Sequence, residues 1–139
     1  MSPEPLGQLR IIWAALVGGV AAYTLVIFGL LTTGAIGFGL LPPGVLNVVA
    51  AAVMLYMAAG VLLRRAMIAR IPPDAPRDVR IARYRAATII GLGLTESGGL
   101  IVITLGMLGS EPMWVLAGGG AAFVMMFLAR PTAEEIGAD

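Results

Sequence analysis

Residues 86–108 of the chain read AATIIGLGLTESGGLIVITLGML, an apolar stretch interrupted by one ionisable side chain, Glu96. About 20 apolar residues are enough to cross a bilayer as a helix. Helix is the only form that fits, because backbone groups in lipid must bond within their own segment and the run lacks the alternation of a barrel strand. These residues therefore predict a membrane-spanning helix with a carboxyl group halfway along it.

Four such stretches occur in the chain, and together they predict an all-α, polytopic membrane protein with four transmembrane helices. Their approximate bounds are residues 11–32, 44–63, 84–108 and 113–129. Proline, which is favoured at the first position of a helix, precedes or opens the second and fourth stretches. Because these spans use most of the 139 residues, we expect a single transmembrane domain over residues 1–139.

The composition agrees with a membrane protein and excludes several kinds of chemistry. The chain is 59% hydrophobic and only 12% charged, with a mean hydropathy of +0.95, whereas soluble domains carry about 25% charged residues. It has no cysteine and no histidine, which excludes disulfides, the usual zinc or haem ligands and histidine-based catalysis. We therefore expect no enzyme activity, no metal site and no cofactor.

The basic residues predict the orientation. All nine would lie on the cytoplasmic side if both termini were cytoplasmic, and all nine would lie outside in the opposite arrangement. Because loops rich in basic residues stay in the cytoplasm, the sequence predicts an N-in, C-in protein of a bacterial inner (cytoplasmic) membrane. The nine are all arginines: Arg10, Arg64, Arg65, Arg70, Arg77, Arg80, Arg83, Arg85 and Arg130.

Residues 64–83 form the one substantial polar connection, and they predict a cytoplasmic loop. This basic segment has two interpretations. It is either the ordinary topological signal beside the headgroups or a docking surface for anionic lipid or a cytoplasmic partner. We expect no nucleic-acid binding from so short a loop. The arginines of this segment that would face lipid or a partner are Arg64, Arg65, Arg70, Arg77, Arg80 and Arg83.

Small residues recur at helix-packing spacing in every predicted span, for example Ala15 with Gly19 and Gly18 with Ala22 in the first. In lipid, such residues let helix backbones approach closely. They indicate either packing within the chain or contact with other subunits. Because they occur on all four spans, we favour assembly with other membrane subunits or with copies of the same chain.

The carboxyl group of Glu96 is the candidate functional group. An ionisable group at the bilayer centre costs at least ~2.5–3.5 kcal/mol on insertion scales, which favours a functional role. We expect a carboxyl group in hydrocarbon to hold its proton. Thr95 and Ser97 flank it, and Tyr56 lies at a similar depth in the second span, so these four residues are the candidate ion-binding set. Three roles remain open: carrying a proton or sodium ion, joining helices as a neutral acid, or pairing with another protein.

Residues 93–100, which read GLTESGGL, resemble the carboxylate helix of the ring proteolipid, subunit c, of rotary ATP synthases. That resemblance implies that Glu96 is an ion-carrying carboxylate with Thr95 and Ser97 beside it. In layout the chain is also similar to small, uncharacterised four-span bacterial membrane proteins, and this similarity implies a fold but no activity.

Two function classes follow. The first is a non-catalytic membrane subunit that assembles with or stabilises a larger membrane complex through its glycine- and alanine-rich helix faces. The second is a proton- or sodium-translocating, proteolipid-like subunit that forms a homo-oligomer and works through Glu96. We rank the first higher, because one ionisable group does not make a continuous path across a membrane and no inverted repeat is evident.

Overall fold

The computed structural model describes residues 4–137, which form four long helices and one short helix. The described residues contain no strand, so the predicted all-α class is confirmed. Three of the helices are long and apolar enough to cross a membrane, and the fourth is apolar but only 17 residues long. The helices are α1 (Glu4–Thr32), α2 (Pro43–Ala69), α3 (Arg77–Leu108), α4 (Pro112–Leu128) and α5 (Ala133–Ile136).

Prolines mark where three of the long helices begin. Pro43 is the first residue of α2 and Pro112 the first of α4. Pro76, with φ −52° and ψ 146°, directly precedes α3. Proline lacks an N–H group and has a fixed φ near −65°, so it is tolerated at a helix start and disrupts a helix interior.

The predicted loop over residues 64–83 is mostly helical, and the connection between α2 and α3 is residues 70–76. Arg64 and Arg65 belong to the last two turns of α2. Arg77, Arg80 and Arg83 belong to the first turns of α3. Hydropathy detects where an apolar stretch ends, but a helix continues beyond it when the next residues, here arginine, alanine and methionine, are good helix formers.

The long helices run alternately up and down, and α3 is central because it packs against α1, α2 and α4. Both described termini therefore lie at one end of the bundle, which we call the arginine end, and the connections 33–42 and 109–111 lie at the opposite end. All four long helices contribute buried residues to one core, including Val20, Met57, Val102 and Ala122.

Glycines bring α3 very close to its neighbours. A Cβ on Gly99 would lie 2.6 Å from the Cβ of Ala122 in α4. A Cβ on Gly118 of α4 would lie 2.6 Å from Cγ1 of Val102. Carbon atoms of packed side chains normally lie about 3.5–4.0 Å apart. These small residues of α3 and α4 therefore serve packing within the chain.

The small residues of α1 behave differently. A Cβ on Gly18 or Gly19 would meet no atom within 4 Å, and Ala15, Gly18, Gly19 and Ala22 are all exposed on one side of this helix. The described chain therefore leaves this side of α1, the small-residue face, uncovered.

Polar bonds tie α1 and α4 into the bundle. Tyr23 Oη lies 2.9 Å from Thr104 Oγ1, which joins α1 to α3. Trp13 Nε1 donates to the carbonyl oxygen of Met126 at 2.7 Å, joining α1 to α4 at the arginine end. These bonds fix the level at which α1 lies along its neighbours.

Candidate functional site

Glu96 lies in the middle third of α3, and its side chain is partly exposed. Among residues 4–137, no hydrogen-bond or ion-pair partner contacts its carboxyl group. The role of a neutral acid joining two helices within the chain requires such a partner, so the geometry does not support it. The other two roles, carriage of an ion and pairing with another protein, stay predictions.

The two hydroxyl groups beside Glu96 are directed elsewhere. Thr95 is buried, and its Oγ1 lies 3.5 Å from the carbonyl oxygen of Met57 in α2, which is the limit of a weak hydrogen bond. Ser97 Oγ donates to the carbonyl oxygen of Leu94 in its own helix at 3.0 Å. Both hydroxyl groups therefore serve backbone oxygens in this conformation.

Tyr56 contacts the opposite side of α3 from Glu96. Its ring atom Cδ1 lies 3.3 Å from the position that a Cβ on Gly98 would take. Successive residues of a helix are about 100° apart, so Gly98 is about 200° around α3 from Glu96. Tyr56 is 43% exposed. In the described chain, no hydrogen bond joins any of Glu96, Thr95, Ser97 and Tyr56 to another of the four, and the structure does not assemble them into one ion cage.

Around the axis of α3, Glu96 lies between residues that contact α1 and residues that contact α4. Thr104, which bonds Tyr23 of α1, is eight residues further along, and this spacing corresponds to about 80° around the helix. Thr95 and Gly98, which contact α2, lie at larger angles on the other side. Gly99, which contacts Ala122 of α4, is about 60° from Glu96 in the other direction, so the carboxyl group is placed between the sides of α3 that contact α1 and α4.

A second polar cluster, which the sequence interpretation missed, lies at the arginine end. Arg64 is 3% exposed and forms a bidentate ion pair with Glu135 of α5, with distances of 2.7 Å from Nη2 to Oε2 and 3.3 Å from Nη1 to Oε1. The hydroxyl group of Tyr84 donates to Oε2 of the same carboxylate at 2.6 Å. It also accepts from the N–H of Thr132 at 3.2 Å and from Arg64 Nη2 at 3.3 Å. We call Arg64, Tyr84 and Glu135 the arginine-end cluster.

Helix packing builds this cluster. A Cβ on Gly91 would lie 2.6 Å from the Cβ of Arg64, so only glycine leaves room for the arginine stem between α2 and α3. The guanidinium carbon lies 5.8 Å from the centre of the Tyr84 ring, and Tyr84 as a whole is 1% exposed. A buried arginine is destabilising unless an anion compensates it, and here the anion comes from the last described turn of the chain.

The arginines of the basic segment therefore differ in their exposure. Arg65, Arg70, Arg77 and Arg83 are exposed, as a lipid- or partner-facing surface requires, and Arg80 is half-buried. Arg64 faces the protein interior instead. Only a weak sequence signal could have indicated a buried arginine. Two acidic residues, Glu134 and Glu135, follow Pro131, and Glu135 is the one that pairs with Arg64 of α2.

The comparisons with known proteins do not add to this geometry. No protein-family model matches the chain, and no curated protein and no solved structure matches it either. Among residues 4–137, no three acidic side chains lie close enough together to hold a metal ion. The features of the described chain that bear on function are Glu96, the small-residue face of α1 and the arginine-end cluster.

Proposed function

We propose that this protein is a non-catalytic, four-span subunit of a bacterial inner membrane, with both termini in the cytoplasm, that assembles with other membrane proteins or with copies of itself. The alternation of the four helices and the arginines at one end of the bundle support this orientation. α4, with 17 residues, is at the lower limit of length for a span.

The observation that carries this proposal is the small-residue face of α1. A glycine within a helix is destabilising by roughly 0.5–1 kcal/mol relative to alanine. Gly99 and Gly118 offset that cost through close helix contacts within the chain, but Gly18 and Gly19 do not. In lipid, small residues on an open helix face permit the close approach of a second helix. A helix of another subunit is the contact that would use them.

Glu96 supports the same proposal independently. Its carboxyl group has no partner in the described chain and is partly exposed. A hydrogen-bond donor on a neighbouring subunit would remove the cost of leaving this group alone in hydrocarbon.

The test is native mass spectrometry of the complex after mild extraction, with wild type compared with Gly19→Leu. The bulky side chain fills the small-residue face, and we expect the complex to dissociate or to lose most of its occupancy. The matched control is Gly120→Leu, because a Cβ on Gly120 also meets no atom within 4 Å. An intact complex in Gly19→Leu, or equal loss in both variants, would refute a role for this face in assembly.

The isolation of Glu96 also favours a second function, translocation of a proton by a homo-oligomer of proteolipid-like subunits. A sodium site needs several oxygen ligands, whereas the hydroxyl groups of Thr95 and Ser97 serve backbone oxygens here, so a proton is the better candidate. Proteoliposomes with an imposed potential test this function by proton uptake. Translocation requires that Glu96→Gln abolishes uptake and that Ser97→Ala keeps it. If wild type shows no uptake above empty liposomes, only the assembly role remains.

A further inference from the structure

The arginine-end cluster has the composition of an anion-binding site that is already occupied. The planar fork of Arg64 meets two oxygens of one carboxylate, and a tyrosine hydroxyl donates to one of them. Arginine binds phosphate groups with the same bidentate geometry. The arrangement therefore suits any anion with two adjacent oxygens, and Glu135 is the one that fills it.

We call Arg64 and Tyr84 the socket and Glu135 its occupant. The socket and its occupant belong to different parts of the fold. Arg64 and Tyr84 are buried side chains of α2 and α3, and Gly91 fixes the position of the arginine stem. Glu135 is 35% exposed and lies on a helix of four residues. A single helical turn is not stable without tertiary contacts. The tail, residues 130–137, therefore depends on its contacts with Arg64 and Tyr84 for its place.

A cavity of about 190 Å³ lies directly beside the carboxylate, between the tail and residues of α2, α3 and their connection, and it would widen if the tail left. Arg80 lines it together with Tyr84, and the Nε of Arg80 is buried without a hydrogen-bond partner in residues 4–137. Glu134 also lines the cavity and would oppose an anion there, but it belongs to the tail and would leave with Glu135.

We propose that Arg64, Tyr84 and Arg80 form a phosphate-binding site, that Glu135 occupies it as an internal substitute, and that a phosphate group displaces the tail. The phosphate comes either from an anionic lipid headgroup or from a soluble phosphate. In the proposed orientation the site lies on the cytoplasmic side, where anionic headgroups attract basic residues. Phosphate binding would then release a cytoplasmic segment of the protein.

The absence of native cysteine makes the displacement measurable. A single spin label at Ala133→Cys, an exposed position of α5, reports the mobility of the tail. We expect an immobile label in phosphatidylcholine nanodiscs and a mobile fraction that rises with phosphatidic acid content. Titration of inorganic phosphate in phosphatidylcholine nanodiscs forms the second arm. Release by inorganic phosphate alone would identify a soluble phosphate as the ligand, and release only by phosphatidic acid would identify the lipid.

Two variants on the tail separate the proposal from general charge effects. Glu135→Gln removes the internal competitor, so we expect phosphatidic acid to bind at least about tenfold more tightly in native mass spectrometry, because a tethered competitor acts at millimolar effective concentration. Glu134→Gln removes the same charge without touching Arg64, and we expect a much smaller change. Equal affinity in wild type and Glu135→Gln would overturn the proposal.

A third variant removes the socket. Arg64→Gln should lose phosphate binding and leave the label mobile in every lipid, whereas Arg64→Lys should retain part of the binding. If Arg64→Gln does not fold, the comparison of Glu135→Gln with Glu134→Gln is sufficient, because both residues lie in α5 and outside the four long helices. Wild-type binding by a folded Arg64→Gln, or no release of the tail by either phosphate source, would also refute the site.

Discussion

The close contact between α3 and α4 makes Gly99→Ala the most informative single substitution. The added methyl carbon would lie 2.6 Å from the Cβ of Ala122, about 1 Å closer than two carbon atoms normally pack. Ala122 is fully buried and has no χ angle through which it could move away. The two helices must therefore separate, which also loosens the contact between Gly118 and Val102.

The expected magnitude combines two opposing terms. Inserting a methyl group into a packed interface costs about 1–3 kcal/mol. Alanine is the better helix former by roughly 0.5–1 kcal/mol, which offsets part of that cost. We therefore expect Gly99→Ala to lower the free energy of unfolding by about 1–2 kcal/mol. The control is Gly93→Ala in the same helix, where a Cβ meets no atom within 4 Å and stability should stay constant or rise.

The assay is reversible unfolding in mixed micelles, followed by the fluorescence of Trp13 and Trp114, which are each held by a hydrogen bond to another helix. The double variant Gly99→Ala/Ala122→Gly moves the methyl group from α4 to α3 and removes the clash. We expect it to be close to wild type, with a coupling energy of about 1–3 kcal/mol between the two sites. If Gly99→Ala is as stable as Gly93→Ala, or if Ala122→Gly does not rescue it, the close packing of α3 on α4 is wrong.

Three further substitutions test other contacts in the same unfolding assay. Gly91→Ala should destabilise the protein by about 1–3 kcal/mol, because its methyl group displaces the stem of Arg64; equal stability would contradict the tight fit of that stem. Tyr23→Phe should cost only about 0.6 kcal/mol, the average for a hydrogen bond between membrane helices, and a loss of several kcal/mol would indicate a larger role for this hydroxyl group. Trp114→Phe removes the hydrogen bond to Asn47 Oδ1 and should cost about 1 kcal/mol, measured here by Trp13 alone; no change would mean that this exposed bond does not contribute.

The helices could be predicted from the sequence because each depends on local information. Apolar runs of sufficient length indicate helices that fit a membrane, and Pro43 and Pro112 mark two of the starts. The end of α2 at Ala69 and the start of α3 at Arg77 could not be predicted in this way. Beyond the apolar stretch the hydropathy signal stops, while helix propensity and packing continue the helix.

In the candidate sites too, local sequence predicts where a residue lies along its helix but not which other helix it contacts. The position of Glu96 along its helix follows from the sequence, but the direction of its side chain depends on which neighbours contact Gly98 and Thr104. The ion pair of Arg64 joins residues 71 positions apart, and no local pattern encodes it. Charge patterning treats every arginine as a surface group, so it could not identify the one that glycine packing buries.

The position of α1 in the bundle has a consequence for how the protein is made. Its main packing partners are α3 and α4, which the ribosome synthesises later than α1. In the proposed membrane arrangement, α1 would therefore enter the lipid before these two partners are made. The hydroxyl group of Thr24 already donates to the carbonyl oxygen of Val20 in the same helix at 2.7 Å, so it needs no partner during that interval. The fold is then completed when α1, which is made first, packs against the hairpin of α3 and α4, which is made last.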